Sequence, residues 1–545
     1  MIACLRLTIS KRRKIVCMSK RQKISAICGS TPLLLVLVLT CFAFVPPASA
    51  QSKPPLNPQP INLPKEPPTS PGSFPVTADT VNGWVSNNDQ TSIRAHGWAL
   101  WQGITSITPQ SEGWPVFDTW YTDTEVEAGR PTSPKASSFK ATRASGRPTH
   151  HFEGFEQFHH AKVPNVKSAL HKLVIGPAVG GLQVIGFNKF DTDYADFVWN
   201  NNYNTATGLW SVQNSWQVGT PAVQRTIKPF PNTAIALKPV YQVLNGPKHN
   251  GGLTMLPYWL GDLTTGPSNS NNQANPTFGT WNQCVVVYTL SQAPTSQIAQ
   301  TCPNGQQPSG YVSVKEFFSF PLSAEEAESI CSIQPDVPGC AVQAGDYAVL
   351  VAIHMTTRED DNWTWQTFWW NYGQKHPYGP PPPSIPKPFS NYAMCTAYSM
   401  TTNPPNSLTG QNVLCYNPYL ETGLTAVVGT QSNCMSCHNT AALGNNPNNP
   451  PALNPPQTGL AYVQGNPNYP SFLNMSDYIS PTDPNDSNFY YACNTKTEFS
   501  WFLAALVANG TGAPANIAAC TNPNGTTLTP PKAKVKTPGK TSAKK

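Results

Sequence analysis

Hydrophobic periodicity divides the chain into a few strong windows separated by long polar stretches. The densest window, residues 346–356 (DYAVLVAIHMT), is almost continuously apolar and rich in β-branched residues, which predicts a buried strand. Residues 362–371 (NWTWQTFWWN) alternate. An extended backbone there puts Trp363, Trp365, Thr367 and Trp369 on one face. Residues 233–244 (TAIALKPVYQVL) form another strand, which Pro239 pushes toward an edge or a bulge. Residues 182–187, 283–290 and 311–320 are further strands. Residues 114–121 (WPVFDTWY) are aromatic and read as extended.

Helical spacing is rarer. Residues 91–103 (TSIRAHGWALWQG) repeat Ile93, Trp98 and Trp101 at helical intervals behind the Asn88-Asp89 cap region. Residues 191–201 form a second helix. Ser323-x-x-Glu326 is a capping box that opens a short helix ending near Cys331. Residues 497–508 (TEFSWFLAALVA) form the last helix, stopped by Asn509-Gly510. Residues 391–400 fit a short helix or a strand.

Composition then sets the class. With 57 Pro, 37 Gly and 12% charged residues, the chain is loop-rich and is no helical bundle. The expected fold is α+β: a β-rich, loop-rich body with few short helices and a C-terminal segment that carries the chemistry. The divisions are residues 1–50 as a signal peptide and 51–75 as a Pro-rich linker or surface arm. The β-rich body is 76–376, a Pro-rich connection 377–388, the chemical segment 389–520 and a Lys-rich disordered tail 521–545.

Residues 1–50 contain eight Lys/Arg and no acid, an apolar run at 33–44, and Ala48-Ser49-Ala50 before Gln51. That is the layout of a cleaved secretory leader, starting at Met1 or at Met18. Export would place the chain in a bacterial periplasm or outside the cell. No other apolar run approaches the length of a membrane span. Removing the leader leaves 27 basic and 28 acidic residues, and six of the Lys lie in the tail from Pro531. The basic charge belongs to the ends and is no evidence for a nucleic-acid-binding body, so no nucleic-acid partner is expected.

Ten cysteines remain after the leader. Two of them stand in Cys434-Met435-Ser436-Cys437-His438, the C-x-x-C-H spacing of covalent c-type haem attachment. Two thiols on one helical turn add to the haem vinyl groups, and the following His reaches the iron from the proximal side. A zinc site needs a second close pair, which the chain lacks. A thioredoxin-like motif needs a βαβ setting, which is also lacking. The other eight, Cys284, Cys302, Cys331, Cys340, Cys395, Cys415, Cys493 and Cys520, are an even set suited to disulfides in an oxidising compartment. Nearest-neighbour pairing, 284–302, 331–340, 395–415 and 493–520, closes the shortest loops. His150-His151 and His159-His160 read as solvated loop residues rather than metal ligands, because adjacent side chains point apart.

The C-x-x-C-H motif resembles that of the c-type cytochromes. HMTTREDDNWTWQTFWW (354–370), NYAMCTAYSM (391–400) and SNCMSCH (432–438) further resemble a group of secreted bacterial mono-haem proteins of the cytochrome c family. The resemblance implies one covalent haem c, electron transfer and a redox partner protein, without naming a substrate. The separation of the motif from Met475 and the large preceding body depart from a small cytochrome c.

His438 is the expected proximal ligand. For the sixth position Met475 is the first choice and His354 the second, with Met394, Met400, His376 or an open site behind them. Arg358, Tyr372 and Lys375 are candidates for pairing with haem propionates. The size of the body keeps two other functions open: a haem oxidoreductase with a substrate pocket near His354, Trp363 and Trp365, and a cell-surface binding protein with a structural haem.

Overall fold

The computed structural model describes residues 56–131, 184–216, 225–259, 283–295, 305–333, 341–373, 378–398, 417–421, 441–443 and 495–507. It also describes isolated positions, among them His150, Phe152, Cys302, His376 and His438, and the strand pairs at 520–521 and 527–528. The fold is α+β and β-rich, as the periodicity implies.

Its framework is an eight-stranded antiparallel sheet. The strands are β1 (Tyr121–Thr122), β2 (Ile185–Gly186), β3 (Lys189–Phe190), β4 (Ile235–Leu244), β8 (Ser319–Pro321), β9 (Tyr347–Thr357), β10 (Thr364–Trp370) and β11 (Tyr392–Tyr398). Their order is β1-β3-β4-β9-β10-β11, with β2 also on β4 and β8 also on β9. The long apolar windows form the centre, where both faces are covered. Pro239 lies inside β4 beside a register shift at Val240/Tyr241, the bulge its missing N–H favours. β11 comes from the chain beyond the Pro-rich connection, so the sheet joins segments that the sequence separates. Of the 391–400 window, Tyr392–Tyr398 is thereby resolved as a strand. A second sheet of β5 (Leu253–Pro257), β6 (Cys284–Tyr288) and β7 (Tyr311–Ser313) lies in the order β5-β6-β7.

Two expected strands are interrupted. The 311–320 window breaks at a 3-10 turn, Val314–Glu316, and divides between the two sheets as β7 and β8. The 114–121 window is mostly a 3-10 turn, Val116–Thr119, leading into β1. In both, a turn local to the backbone overrides apolar alternation.

One face of the large sheet is covered by helix α2 (Gln90–Thr105), which follows α1 (Ala78–Ser86). Asp89 caps α2 by accepting from the Ser92 N–H. Trp101 stacks on Phe368 of β10 at 4.3 Å and donates its indole N–H to the Phe389 carbonyl at 3.0 Å. Gly97 faces β11: a Cβ added there would meet Met394 Sδ at 2.7 Å and Thr396 Cγ2 at 2.9 Å. The arm from Leu56 is packed along this part of the molecule, with Trp120 donating to the Gln59 carbonyl at 2.6 Å.

The remaining described helices are α3 (Asp123–Glu127), α4 (Thr192–Asn200), α5 (Ala206–Ser215), α6 (Ala324–Ile333), α7 (Pro418–Glu421) and α8 (Trp501–Val507). The Ser323/Glu326 box opens α6 as expected, Glu326 accepting from the Ser323 N–H and donating its own N–H to Ser323 Oγ. Among the described residues no helix is long and apolar enough to cross a membrane.

Cys284 of β6 is bonded to Cys302. Cys331 and Cys395 are disulfide-bonded as well. Cys340, Cys415 and Cys493, expected in the other pairings, lie outside the described residues, and of Cys520 the backbone alone is described.

His150 corrects the expectation of a solvated loop residue. It is buried, its Nε2 3.1 Å from Asp118 and its Nδ1 2.9 Å from Glu326, with Phe320 stacked on the ring at 4.2 Å. Burial disfavours its charge, but the two carboxylates outweigh burial and raise its pKa. His151, His159 and His160 lie outside the described residues.

Candidate functional site

The face of the large sheet opposite α2 carries the candidate chemistry. Side chains alternate along each strand, so one row on this face is fixed by register. Lys238 of β4 is opposite His354 of β9, and His354 is opposite Thr367 of β10. One step along, Ala236 is opposite Thr356, and Thr356 is opposite Trp365. Ala236, Lys238, His354 and Thr356 are all partly exposed, while the alternating Ile235, Leu237, Ile353, Met355 and Thr357 are buried. The four therefore form a partly exposed row on this face of the sheet.

His438 lies against this face: its ring centroid is 4.5 Å from that of Trp365. A backbone ladder carries it there. Ala441 N–H donates to the His438 carbonyl at 3.1 Å and Thr497 N–H to the Ala441 carbonyl at 3.1 Å. β12 (Ala442–Leu443) then pairs with β13 (Thr495–Lys496).

This ladder sets His438 Nδ1 2.9 Å from the Phe499 carbonyl oxygen. A carbonyl can only accept, so Nδ1 carries the proton and Nε2 is left with its lone pair. Metal-bound histidines commonly have this arrangement, with the second nitrogen donating to a carbonyl and fixing the ring. Burial holds the His438 pKa down at about 4, so the ring is neutral near pH 7. His354 is held down at about 3, first by burial and then by the proximity of His438 and Lys238. The charge on one imidazole is thus felt by the other.

The Phe499 carbonyl is aimed by unusual backbone. Glu498 and Phe499 both have left-handed conformations, with φ of 50° and 66°. Neither is a glycine, so this turn is strained and needs outside support. Arg358 supplies it from the β9–β10 turn. Its Nε is 3.2 Å from Glu498 Oε2, and the same carboxylate oxygen accepts from Phe230 N–H at 2.9 Å. Burial raises the Glu498 pKa and Arg358 opposes that rise. Arg358, a candidate for haem propionates, is therefore committed to Glu498 and to Asp361 at 2.9 Å.

The next residue, Glu359, turns to the opposite face. Its Oε1 accepts from Val76 N–H at 2.6 Å and lies 3.3 Å from His96 Nε2. His96 Nδ1 is 2.8 Å from Tyr398 OH, which accepts from Gln366 at 2.6 Å. The polar motif after β9 thus anchors one end of the sheet to the elements on both of its faces.

α7 is tied to β10 through Asn417. Asn417 donates to Thr367 Oγ1 at 2.7 Å and to the Phe368 carbonyl at 3.0 Å, and its Oδ1 caps the helix by accepting from Tyr419 N–H.

Of the sequence candidates, His438, His354 and Trp365 come together. Trp363 does not share their strand face: it sits in the turn with φ 58° and packs edge-on to Phe230 at 5.4 Å. Met394 lies on the other face, under Gly97 of α2, and is removed as an iron ligand. Cys434, Cys437, Met475, Met400 and Lys375 lie outside the described residues. Glu498, the Phe499 carbonyl and Lys238 are additions that motif reading did not supply. The acid in the otherwise uncharged stretch 497–508 was a usable signal for Glu498. A carbonyl gives none.

An imidazole with a bonded Nδ1, an indole and a lysine share this face, a donor set compatible with a flat anionic ring system. Among the described residues no group of three or more His, Cys, Asp and Glu is placed to hold a metal. No protein-family model, curated protein or solved structure matches the chain.

Proposed function

We propose that this chain is an exported mono-haem c-type cytochrome that passes single electrons between a donor and an acceptor protein. The observation that carries the reading is the hydrogen bond from His438 Nδ1 to the Phe499 carbonyl, 2.9 Å long. It puts the proton on Nδ1 and fixes the ring, so that Nε2 is the nitrogen with the lone pair, the tautomer an iron ligand would need. The C-x-x-C-H spacing of Cys434, Cys437 and His438 supports the same reading.

When bound, haem supplies an Fe(III)/Fe(II) couple that takes up and releases one electron. The chain's own residues then have separate tasks. Cys434 and Cys437 would hold the ring covalently. His438 would ligate from Nε2, while the Phe499 carbonyl keeps the proton on Nδ1 and raises the basicity of the ring. Trp365 and Phe499, both buried beside His438, would keep water from the ligating imidazole. The export leader fits the compartment in which haem c is attached.

The test is expression with an export and haem c attachment system, followed by intact mass and a denatured haem spectrum. One covalent haem per chain is expected, lost from Cys434→Ser/Cys437→Ser. An exported, folded chain without covalent haem would overturn the reading. A ferric spectrum that stays low-spin in the presence of cyanide is the expected behaviour of a carrier. Rapid cyanide or CO binding would instead favour the haem oxidoreductase.

A further inference from the structure

His354 is a polar side chain at the centre of the large sheet. β9 is hydrogen-bonded on both sides, to β4 and to β10, over the stretch that contains it. Such a position is rigid, and the residues on either side of it in the chain are fully buried. Its own side is different. His354 shares a partly exposed row with Ala236, Lys238 and Thr356, on the sheet face that His438 approaches at Trp365. The ring of His438 packs on Trp365, which is opposite Thr356, next but one to His354 on the same face.

We propose that His354 is the second axial ligand, so that the haem held by His438 is coordinated by two imidazoles. This rests on the haem reading above and deepens it. Three observations on geometry support it. First, register places His354 on the face that His438 covers. Second, a strand interior fixes a ligand more firmly than a loop does. Third, the methionine of β11 is directed away from this face, against Gly97. Lys238 adds a cation to the same row, suited to a cofactor that bears carboxylates. Its position opposite His354 is set by six successive residue pairings between β4 and β9, from Ile235↔Thr357 to Val240↔Ala352.

Two imidazoles give a lower reduction potential than an imidazole with a thioether. The body that carries His354 is then part of the haem site. That accounts for a sheet far larger than one covalent haem needs.

The experiment uses the full exported chain, with haem content measured by mass. Wild-type ferric protein is expected to be low-spin, with the electron paramagnetic signature of two histidines. His354→Ala is expected to retain covalent haem but turn high-spin, and to bind cyanide at least tenfold faster. Imidazole added to the solution should restore its low-spin spectrum. His354→Met should remain low-spin with a higher potential. Circular dichroism on each variant reports whether the sheet is intact, and His354→Gln gives a second polar variant if the alanine unfolds. A low-spin spectrum unchanged in folded His354→Ala or His354→Gln would overturn the proposal. Loss of the low-spin state in Met475→Ala alone would overturn it in favour of a thioether ligand. Both outcomes leave the haem reading standing, whereas absence of covalent haem from the wild type removes that reading itself.

Discussion

Arg358 and Glu498 are 140 residues apart in sequence and meet at 3.2 Å in a nearly water-free setting. Removing one member of a buried ion pair leaves the other charge without compensation and typically costs about 3–5 kcal/mol. Arg358→Ala is therefore expected to lower the denaturation free energy by about that much, read as a shift in the urea midpoint. Arg358→Met combined with Glu498→Leu should recover most of the loss, because no buried charge is stranded. Equal destabilisation by the single and double variants would show that the pair is not what supports the turn. His438 stands out in the sequence because it closes a C-x-x-C-H run of fixed local spacing. The Arg358–Glu498 clamp was not, because nothing local joins residues so distant. The Phe499 carbonyl was hidden for another reason: every residue has one, and only the left-handed turn aims it. His354 was visible as a histidine in an apolar strand, though not its position under His438.

At the scale of elements, the α2–β11 contact rests on the absence of a side chain at Gly97. A glycine inside a helix ordinarily costs about 0.5–1 kcal/mol relative to alanine, so Gly→Ala would stabilise an open helix. Here the added methyl meets Met394 Sδ at 2.7 Å and Thr396 Cγ2 at 2.9 Å. Met394 can bend, but Thr396 is short and β-branched, so overpacking of about 1–3 kcal/mol outweighs the helix gain. Gly97→Ala should lower the melting temperature and Gly97→Val should lower it further. A rise with alanine would mean that α2 sits farther from the sheet. The strong windows were legible as elements: β4, β9, β10 and α2 all follow their periodicity. The failures were at turns. Residues 311–320 read as one strand because the alternation continues through Val314–Glu316, where the backbone makes a 3-10 turn and changes sheets. Residues 391–400 were ambiguous because a short apolar run suits either period, and only pairing with β10 decides it.

For the whole molecule, sheet and helices are locked together by a buried carboxylate, and this makes stability depend on pH. Asp191 caps α4 by accepting from Tyr194 N–H at 2.9 Å and also accepts from Ile235 N–H of β4 at 3.0 Å. Burial pushes its pKa up to about 8, despite these two bonds. In the unfolded chain an aspartate titrates near 4. Between about pH 4 and 8 the folded state therefore holds a proton that the unfolded state has released. Stability from this group is complete below about pH 4 and falls as pH rises toward 8, with a limiting slope of about 1.4 kcal/mol per pH unit. Lys496 has the opposite effect in a separate window. Burial lowers its pKa to about 8, so above that value the unfolded state holds the extra proton and stability rises with pH. The measurement is denaturation free energy from pH 5 to 7.5, below the lysine window. Wild-type protein should lose stability steadily across it. Asp191→Asn retains an acceptor for both N–H groups and has no proton to lose, so its profile should be flatter, with the two proteins diverging most at pH 7.5. Parallel profiles would assign the pH dependence to other groups and leave Asp191 as a cap alone.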